Sequence, residues 1–425
     1  MESICLQLSD YGLQQLDDCL PHSDYRLRHP DLVLLNTCVV TQKAEKETRQ
    51  KIRELRKNYP KSLLVVLGCG VTAKEKFKIN LPPADLFIPN HQKERVIELL
   101  VQNIYSTKPI EKTFNNKYTL SGRKFIKIQD GCDKYCTFCI TCHLRGKPTS
   151  IAKEKIIKDI NFWVKNGIKE VILTGINIGL WGKDFKIQEP VNNLLEKILS
   201  ETKIERISFS SIYPEMLTDE FIKLVINNPR FSQYFHLSLQ SDSQTVLQRM
   251  NRRYNINELT NYLLFIKKIA PSFTFRADII TGFPQESEQE FQETLDFIKK
   301  TRISFAHIFS FSPRFGTVAY KMIKSKKWHE ISGEIKKKRS EILKSEVKKT
   351  RKEEAKKMIG KLSDCLMVRL KDNQWEAISE NGWQTRIKPC LPAGRNNELR
   401  IKNLKGKIVP IKIIDFKEPY LVGLN

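Results

Sequence analysis

Asp130-Gly131-Cys132-Asp133-Lys134-Tyr135-Cys136-Thr137-Phe138-Cys139 sets three cysteines in the order C-x3-C-x2-C within one short stretch. Three thiolates at this spacing can hold three corners of a cubane iron–sulfur cluster. The fourth iron then keeps an open position, as catalytic metal centres do and structural ones do not. Tyr135, beside the middle cysteine, and Phe138, before the last, can shield such a cluster from water. A zinc knuckle completed by Cys142 or His143, or a set of inert buried thiols, is the alternative reading of the same residues.

Outward from this stretch, strand-like and helix-like segments alternate. The expected strands are Phe125–Ile128, Glu170–Thr174, Arg206–Phe209, Phe235–Leu239, Phe275–Thr281 and Ala306–Phe311. The expected helices are Lys153–Lys165, Val191–Leu199, Thr218–Ile226, Ile256–Lys268 and Ser287–Lys300. Repeated β-then-α units imply a parallel sheet with right-handed crossovers, hence an α/β fold built on a partial (βα)6 barrel. Chemistry in such barrels belongs at the carboxyl ends of the strands, and the cysteines follow the first strand. Suitable groups gather at the other strand ends: Gly175, which permits close backbone approach to a ligand, and Asn177, then Ser210 and Glu215, Gln240, Asp278 and Gly282. Each polar one could equally cap a following helix, so their joint placement carries the weight. His236 and His307 are expected to support the core rather than bind metal.

Upstream, residues 1–105 read as a small α/β unit. Asp31–Asn36 and Ser62–Leu67 are short apolar runs suited to buried parallel strands, and Gln42–Asn58 is a charged helix stopped before Pro60. Cys38 and Cys69 stand just beyond the two strands, where ligands collect on open parallel sheets, and Cys5 is the natural third member of that group. Buried small hydrophobes are the ordinary alternative for all three, and Cys19 is a poor substitute for Cys5. Residues 106–123 read as a polar linker and 124–323 as the barrel core. Residues 324–361 form a basic helical segment, with fifteen Lys/Arg against six acidic residues between Lys324 and Lys361. Its apolar face is expected at Ile331, Ile335, Ile342 and Val347. Residues 362–425 alternate β-prone runs with turns, as a small antiparallel barrel does.

At 425 residues, with 40% hydrophobic content, the chain supports two or three domains and excludes global disorder. No long uncharged apolar run is present and Met1–Ile4 carries no basic-then-apolar leader, so a cytoplasmic protein without membrane contact is expected. Ten cysteines clustered in such a chain point to metal or catalysis before disulfides. A net charge of +25 suits a polyanion such as nucleic acid, or else simply solvates the surface.

The cysteine stretch resembles the radical S-adenosylmethionine superfamily. The resemblance implies that the open iron chelates the methionine amino and carboxylate groups of the cofactor. An electron from the cluster then cleaves the sulfonium to a 5'-deoxyadenosyl radical. It further implies that Gly175 and Asn177 lie near the methionine amino group, Asp278 and Gly282 near adenine, and Ser210, Glu215 and Gln240 among the remaining cofactor contacts. Asn36–Lys46 and Gly68-Cys69 resemble the methylthiotransferase family, in which three cysteines bind a second 4Fe–4S cluster. Cys5, Cys38 and Cys69 are the ligands so implied.

The likeness spans most of residues 1–345 and is specific at Ser208–Pro214, Met250–Tyr254, Gly282–Pro284 and Ser312–Thr317. Departures are Ile4 and Leu8 around Cys5, Cys142 and His143 where Pro and Tyr are usual, and Asp242 in place of Gly. Cys142 is expected to be a spectator thiol. Val40-Thr41, Thr48–Arg53, Thr174–Asn177 and Arg252–Tyr254 look most like the branch acting on N6-threonylcarbamoyladenosine at tRNA position 37. Sister branches modify isopentenyladenosine or a ribosomal-protein aspartate. Implied with this are S-adenosylmethionine, two 4Fe–4S clusters, an anticodon loop as partner, a flavodoxin or ferredoxin as electron donor, a monomeric state and an RNA-binding C-terminal barrel. A catalytically impaired RNA-binding homologue is the rival from another class.

Overall fold

β1 (Leu32–Thr37), β2 (Leu63–Gly68) and β3 (Leu86–Pro89) form a three-stranded parallel sheet in the computed structural model of the chain. The structure describes residues 30, 32–104, 122–372, 374–388 and 404–424, so Cys5, Cys19, Cys390 and nearly all of the expected linker lie outside the described residues. Strand β2 shows why this sheet is buried on both faces. Val65 and Leu67 pack with Ile88, Val96 and Leu100, while Leu64 and Val66 pack with Ile52, Leu55 and Val71. The helices are α1 (Gln42–Asn58), α2 (Cys69–Phe77), α3 (Val96–Ile104) and the short α4 (Thr141–Arg145). Thr41 caps α1 by accepting from the Ala44 N–H at 3.0 Å. This first unit also takes in residues 138–146 and 312–321. Ile140 and Leu144 share a small core with Val39, Cys69 and Ala73. Arg314 pairs with Glu45 at 2.6 Å, both side chains largely buried.

The second unit holds six parallel strands: β4 (Arg123–Lys127), β7 (Glu170–Thr174), β8 (Arg206–Phe209), β9 (Tyr234–Gln240), β10 (Thr274–Thr281) and β11 (Phe305–Ser310). Two short strands, β5 (Gln129–Asp130) and β6 (Thr149–Ser150), pair antiparallel beside them. Ladders run β4-β7-β8 and β9-β10-β11, joined by parallel bridges Ile207–Phe231 and Ile212–Leu237. The helices between are α5 (Lys153–Lys165), α6 (Val191–Glu201), α7 (Asp219–Ile226), α8 (Gln244–Arg249), α9 (Ile256–Ile269) and α10 (Glu288–Thr301). The partial (βα)6 barrel read from the sequence is what forms. Phe209, Phe221, Phe231, Phe235 and Phe273 make a continuous aromatic core, with ring centroids between 4.7 and 6.5 Å apart.

The expected basic helix is α11 (Gly333–Lys356), and its buried face is the expected one only in part. Val347 is buried and Ile342 half-buried as expected, but Ile331 precedes the helix and Ile335 is 44% exposed, while Arg339, Ser340, Leu343, Thr350 and Glu354 are buried as well. Apolar periodicity misplaced part of the face because that part is lined with ion pairs. Arg339 reaches Glu286 at 2.6 Å, and Glu354 takes Lys267 at 2.7 Å and Arg302 at 3.1 Å.

After α11, strands β12 (Leu362–Lys371), β13 (Gln374–Ser379), β14 (Gln384–Lys388), β15 (Ile408–Lys417) and β16 (Tyr420–Leu424) close into a barrel. Closure uses one parallel pair, β14 with β16, where an all-antiparallel barrel was expected. This barrel seats on the amino ends of the core strands. Arg206 donates to Asp364 O at 2.8 Å and Ile378 O at 3.2 Å, and the Trp383 indole to Thr274 Oγ1 at 3.0 Å. Among the described residues no helix is long and apolar enough to cross a membrane.

Replacing Arg339 by Met strands Glu286 in a buried setting, so unfolding free energy in denaturant melts should fall by about 3–5 kcal/mol. Ile335→Ala, on the exposed side of α11, should change it by less than about 0.5 kcal/mol.

Candidate active site

The cysteine loop leaves β5 and is gripped from one side by the segment that follows α8. The Thr137 N–H donates to Met250 O at 3.0 Å and its hydroxyl to Arg249 O at 2.8 Å. The Asn251 side-chain amide donates to Lys134 O at 3.1 Å and Tyr135 O at 3.2 Å. Both Tyr135 and Asn251 adopt left-handed backbone, with φ of 46° and 58°. Asn tolerates that region, whereas Tyr is held there by its surroundings. From the other side, Gln129 donates through Nε2 to Asp130 O and Gly131 O, at 2.6 and 2.7 Å. Its Oε1 accepts the Asn177 N–H at 2.9 Å. Cys132 and Cys136 are buried within this frame.

Arg252 packs against the loop. Its guanidinium is 3.8 Å from Cys136 Sγ, bonds Ser238 O, and sits between the Tyr213 and Tyr254 rings at 4.7 and 5.4 Å. Burial works against its charge, but Tyr254, Cys136, Tyr213 and Glu215 hold its pKa above the usual arginine value. A cation at this distance favours a thiolate at Cys136. Beside the loop opens a cavity of about 290 Å³, lined among others by Cys136, Lys183, Tyr213, Glu215, Arg252 and Arg253. Lys134 pairs with Glu215 at 3.3 Å on its wall. Bases outnumber acids in the lining, which suits an anionic or zwitterionic ligand.

Of the residues expected at strand ends, Cys136 and Glu215 come together on this cavity. Ser210, Gln240 and Asp278 stand outside its lining. The Ser210 hydroxyl is buried without a partner among the described residues, and Gln240 ends β9 at φ 75°. Asp278 bonds His236 and His307 at 2.9 and 3.1 Å. Gly175, Asn177 and Gly282 have architectural duties. A Cβ on Gly175 would meet Gln129 O at 2.9 Å, and one on Gly282 would meet Lys336 Cγ. The Gly282 N–H is taken by Glu286 at 2.8 Å, and Asn177 is 2% exposed with its own N–H on Gln129. Asn251, Arg252 and Lys183 were missed as site residues. For the first two the signal was Met250–Tyr254, a family-like run whose contact with the cysteine loop no spacing rule reveals.

In the first unit, Thr37 pairs with Gly68 across β1 and β2, so Cys38 and Cys69 emerge from neighbouring strand ends. Cys38 is exposed and Cys69 buried. Thr37 Oγ1 donates to Leu67 O at 2.7 Å and accepts from the Gly70 N–H at 3.0 Å, while Thr48 Oγ1 donates to Cys38 O at 2.9 Å. Cys69 opens α2, where the positive end of the helix dipole favours a thiolate. Cys139 also belongs to this unit, its Sγ accepting from the Thr141 N–H at 3.4 Å. The Cys142 thiol is turned toward Cys139 O at 3.6 Å.

Comparison with known proteins places this arrangement. Residues 126–298 match the Radical SAM superfamily and residues 8–88 the Uncharacterized protein family UPF0004. The chain is 33% identical to the Threonylcarbamoyladenosine tRNA methylthiotransferase MtaB of Aquifex aeolicus, over 69% of this chain and 74% of that protein. It is 31% identical to the tRNA-2-methylthio-N(6)-dimethylallyladenosine synthase of Endomicrobium trichonymphae, over 84% of each. Its fold is similar to that of the radical S-adenosylmethionine methyltransferase TsrM of Kitasatospora setae. That likeness has a TM-score of 0.50 at 13% identity and covers 70% of this chain and 67% of that one.

Two expectations follow from the loop and its neighbours. Asn251→Ala removes two hydrogen bonds and a residue suited to left-handed backbone, so stability should drop by about 2–3 kcal/mol; Asn251→Gly should lose about half of that. Urea melts read both. Asp242 is 4% exposed with neither carboxylate oxygen partnered among the described residues, and burial pushes its carboxyl well above the usual value of 3.8. With the folded pKa raised, the unfolded chain ionises first as pH rises, and stability is lost from about pH 4 upward. Wild type should therefore weaken relative to Asp242→Ala as pH rises above about 4, the unfolded carboxyl's range; a pH-independent difference would contradict this.

Proposed function

The chain belongs to the methylthiotransferases of the radical S-adenosylmethionine superfamily, and from that premise we propose that it adds a methylthio group to C2 of N6-threonylcarbamoyladenosine at tRNA position 37. The observation that carries the reading is the cavity beside Cys136. Lys134, Lys183, Arg252 and Arg253 line it and Leu180 is its one aliphatic side chain, a lining suited to carboxylates and phosphates rather than to a dimethylallyl group. A threonylcarbamoyl substituent carries a carboxylate.

The donor set fits the cofactors. Cys132, Cys136 and Cys139 would hold the cluster with an open iron, and Cys5, Cys38 and Cys69 a second one. When bound, the clusters and S-adenosylmethionine supply a radical strong enough to open an aromatic C–H bond and a methylated sulfur to replace the hydrogen. The chain's own residues bind, orient and exclude water. Asn251 and Gln129 keep the loop in one shape, and Arg252 balances the charge at Cys136. The unpartnered Ser210 hydroxyl offers a polar contact for the cofactor. Thr37 and Thr48 hold the turns that carry Cys69 and Cys38. An anticodon loop presents unstacked bases that a pocket can take, and the net charge of +25 suits its phosphates. A flavodoxin or ferredoxin as electron donor and a monomeric state go with this reading.

A second reading, a homologue with only one working cluster, is favoured by Ile4 and Leu8 around Cys5. Iron counted in anaerobically reconstituted protein separates the two: about eight per chain for two clusters and about four for one. Cys5→Ala should lower the first figure to the second. Mass analysis of tRNA from a deletion strain then tests the substrate. Loss of the 2-methylthio form of N6-threonylcarbamoyladenosine is expected, whereas loss of the dimethylallyl form instead would overturn the assignment.

A further inference from the structure

The face of β9, β10 and β11 turned away from the helices carries a side-chain group around Asp278 that lies outside the lining of the cavity beside Cys136. Along β10, Phe275, Ala277, Ile279 and Thr281 are buried, and Lys267 of α9 lies over Phe275. Arg276, Asp278 and Ile280 occupy the opposite, half-exposed face. Register sets His307 beside Asp278 and Phe309 beside Ile280 on β11, with His236 beside Arg276 on β9. Asp278 Oδ1 accepts from His236 Nε2 at 2.9 Å and from His307 Nδ1 at 3.1 Å. The rings form a ladder, His236 to His307 at 5.1 Å and His307 to Phe309 at 6.2 Å. His307 is 68% exposed and Phe309 45%, so neither is a core residue in the way the sequence suggested for the histidines.

We propose that His307 and Phe309, oriented by Asp278 and His236, are the platform that receives the substrate purine. The proposal rests on the tRNA reading above and specifies where its base is held. Phe309 offers an apolar face open to solvent, and nucleobases stack on such faces. With the Nδ1–H of His307 given to Asp278, its Nε2 is left as an acceptor for an amino or N–H group on a base edge. Asp278 thereby fixes the ring that reads the base, a positioning role. The same three polar residues place possible metal-ligand atoms within 4.8 Å of one another. A cation site, however, accounts for neither the exposed Phe309 nor the ring ladder. A nucleobase accounts for both.

The test uses the full reconstituted chain and a short anticodon stem–loop RNA bearing either adenosine or an abasic residue at position 37, with binding read by fluorescence anisotropy. Wild type should bind the adenosine loop about tenfold more tightly, the scale of one base stacked on one aromatic ring. Phe309→Ala and His307→Ala should each lose most of that preference while binding the abasic loop as wild type does, and Phe309→Tyr should keep it. Thermal melts verify that the variants fold. If Phe309→Ala still prefers adenosine to the abasic loop, the platform is wrong and the tRNA reading stands. If wild type does not distinguish the anticodon loop from a scrambled hairpin, that reading falls and the platform with it. Zinc or iron that survives chelation in wild type and is missing from His307→Ala would replace the purine with a cation.

Discussion

Asn251 holding the cysteine loop by two backbone carbonyls is the contact on which the rest of the site depends. A loop with Tyr135 in left-handed backbone does not keep its shape unaided; each such residue costs about 1–2 kcal/mol. Thr137, Asn251 and Gln129 meet that cost from two sides, through hydrogen bonds to and from the loop backbone and side chains. Arg252, next in the chain after Asn251, then delivers its charge to Cys136. One short segment therefore sets both the shape and the electrostatics of the thiols.

The second unit separates its duties along the strands. Arg206 and Thr274, at the amino ends of β8 and β10, are tied to the C-terminal barrel. Cys132, Cys136 and the basic cavity belong to the carboxyl ends, as the general rule for such barrels requires. Along α11 the core is reached through charge. Arg339–Glu286 and the Glu354 cluster share the buried face of α11 with Leu343, Val347 and Ala355, and Lys336 packs beside Gly282 and bonds Phe311 O.

Much of this was legible in the residues, because strands and helices announce themselves through period. β7, β8, α1 and α5 lie where the sequence put them, and the other core strands shift by one or two residues. β3 and α3 went unread: Leu86–Pro89 is short and ends in proline, too brief for alternation to register. Part of the face of α11 was misread because buried ion pairs carry no hydrophobic signal. Gly175 looked like a glycine that lets a ligand approach the backbone, yet the room it makes is filled by Gln129, as the room at Gly282 is by Lys336. Contacts between distant segments, such as Asn251 with the cysteine loop or His307 with Asp278, depend on strand order and loop path, which composition does not encode. The spacing of the three cysteines, by contrast, lies within one short stretch of the sequence.

The central claim is that Cys132, Cys136 and Cys139 hold a cluster whose remaining iron is open to the cofactor. Electron–nuclear double resonance on the reduced cluster of a Cys38→Ala/Cys69→Ala variant tests it most directly, with S-adenosylmethionine labelled at the methionine nitrogen and carboxylate. Coupling of both labels to the cluster is the expected result. A fully formed cluster that shows neither coupling, or zinc in its place, would contradict the claim.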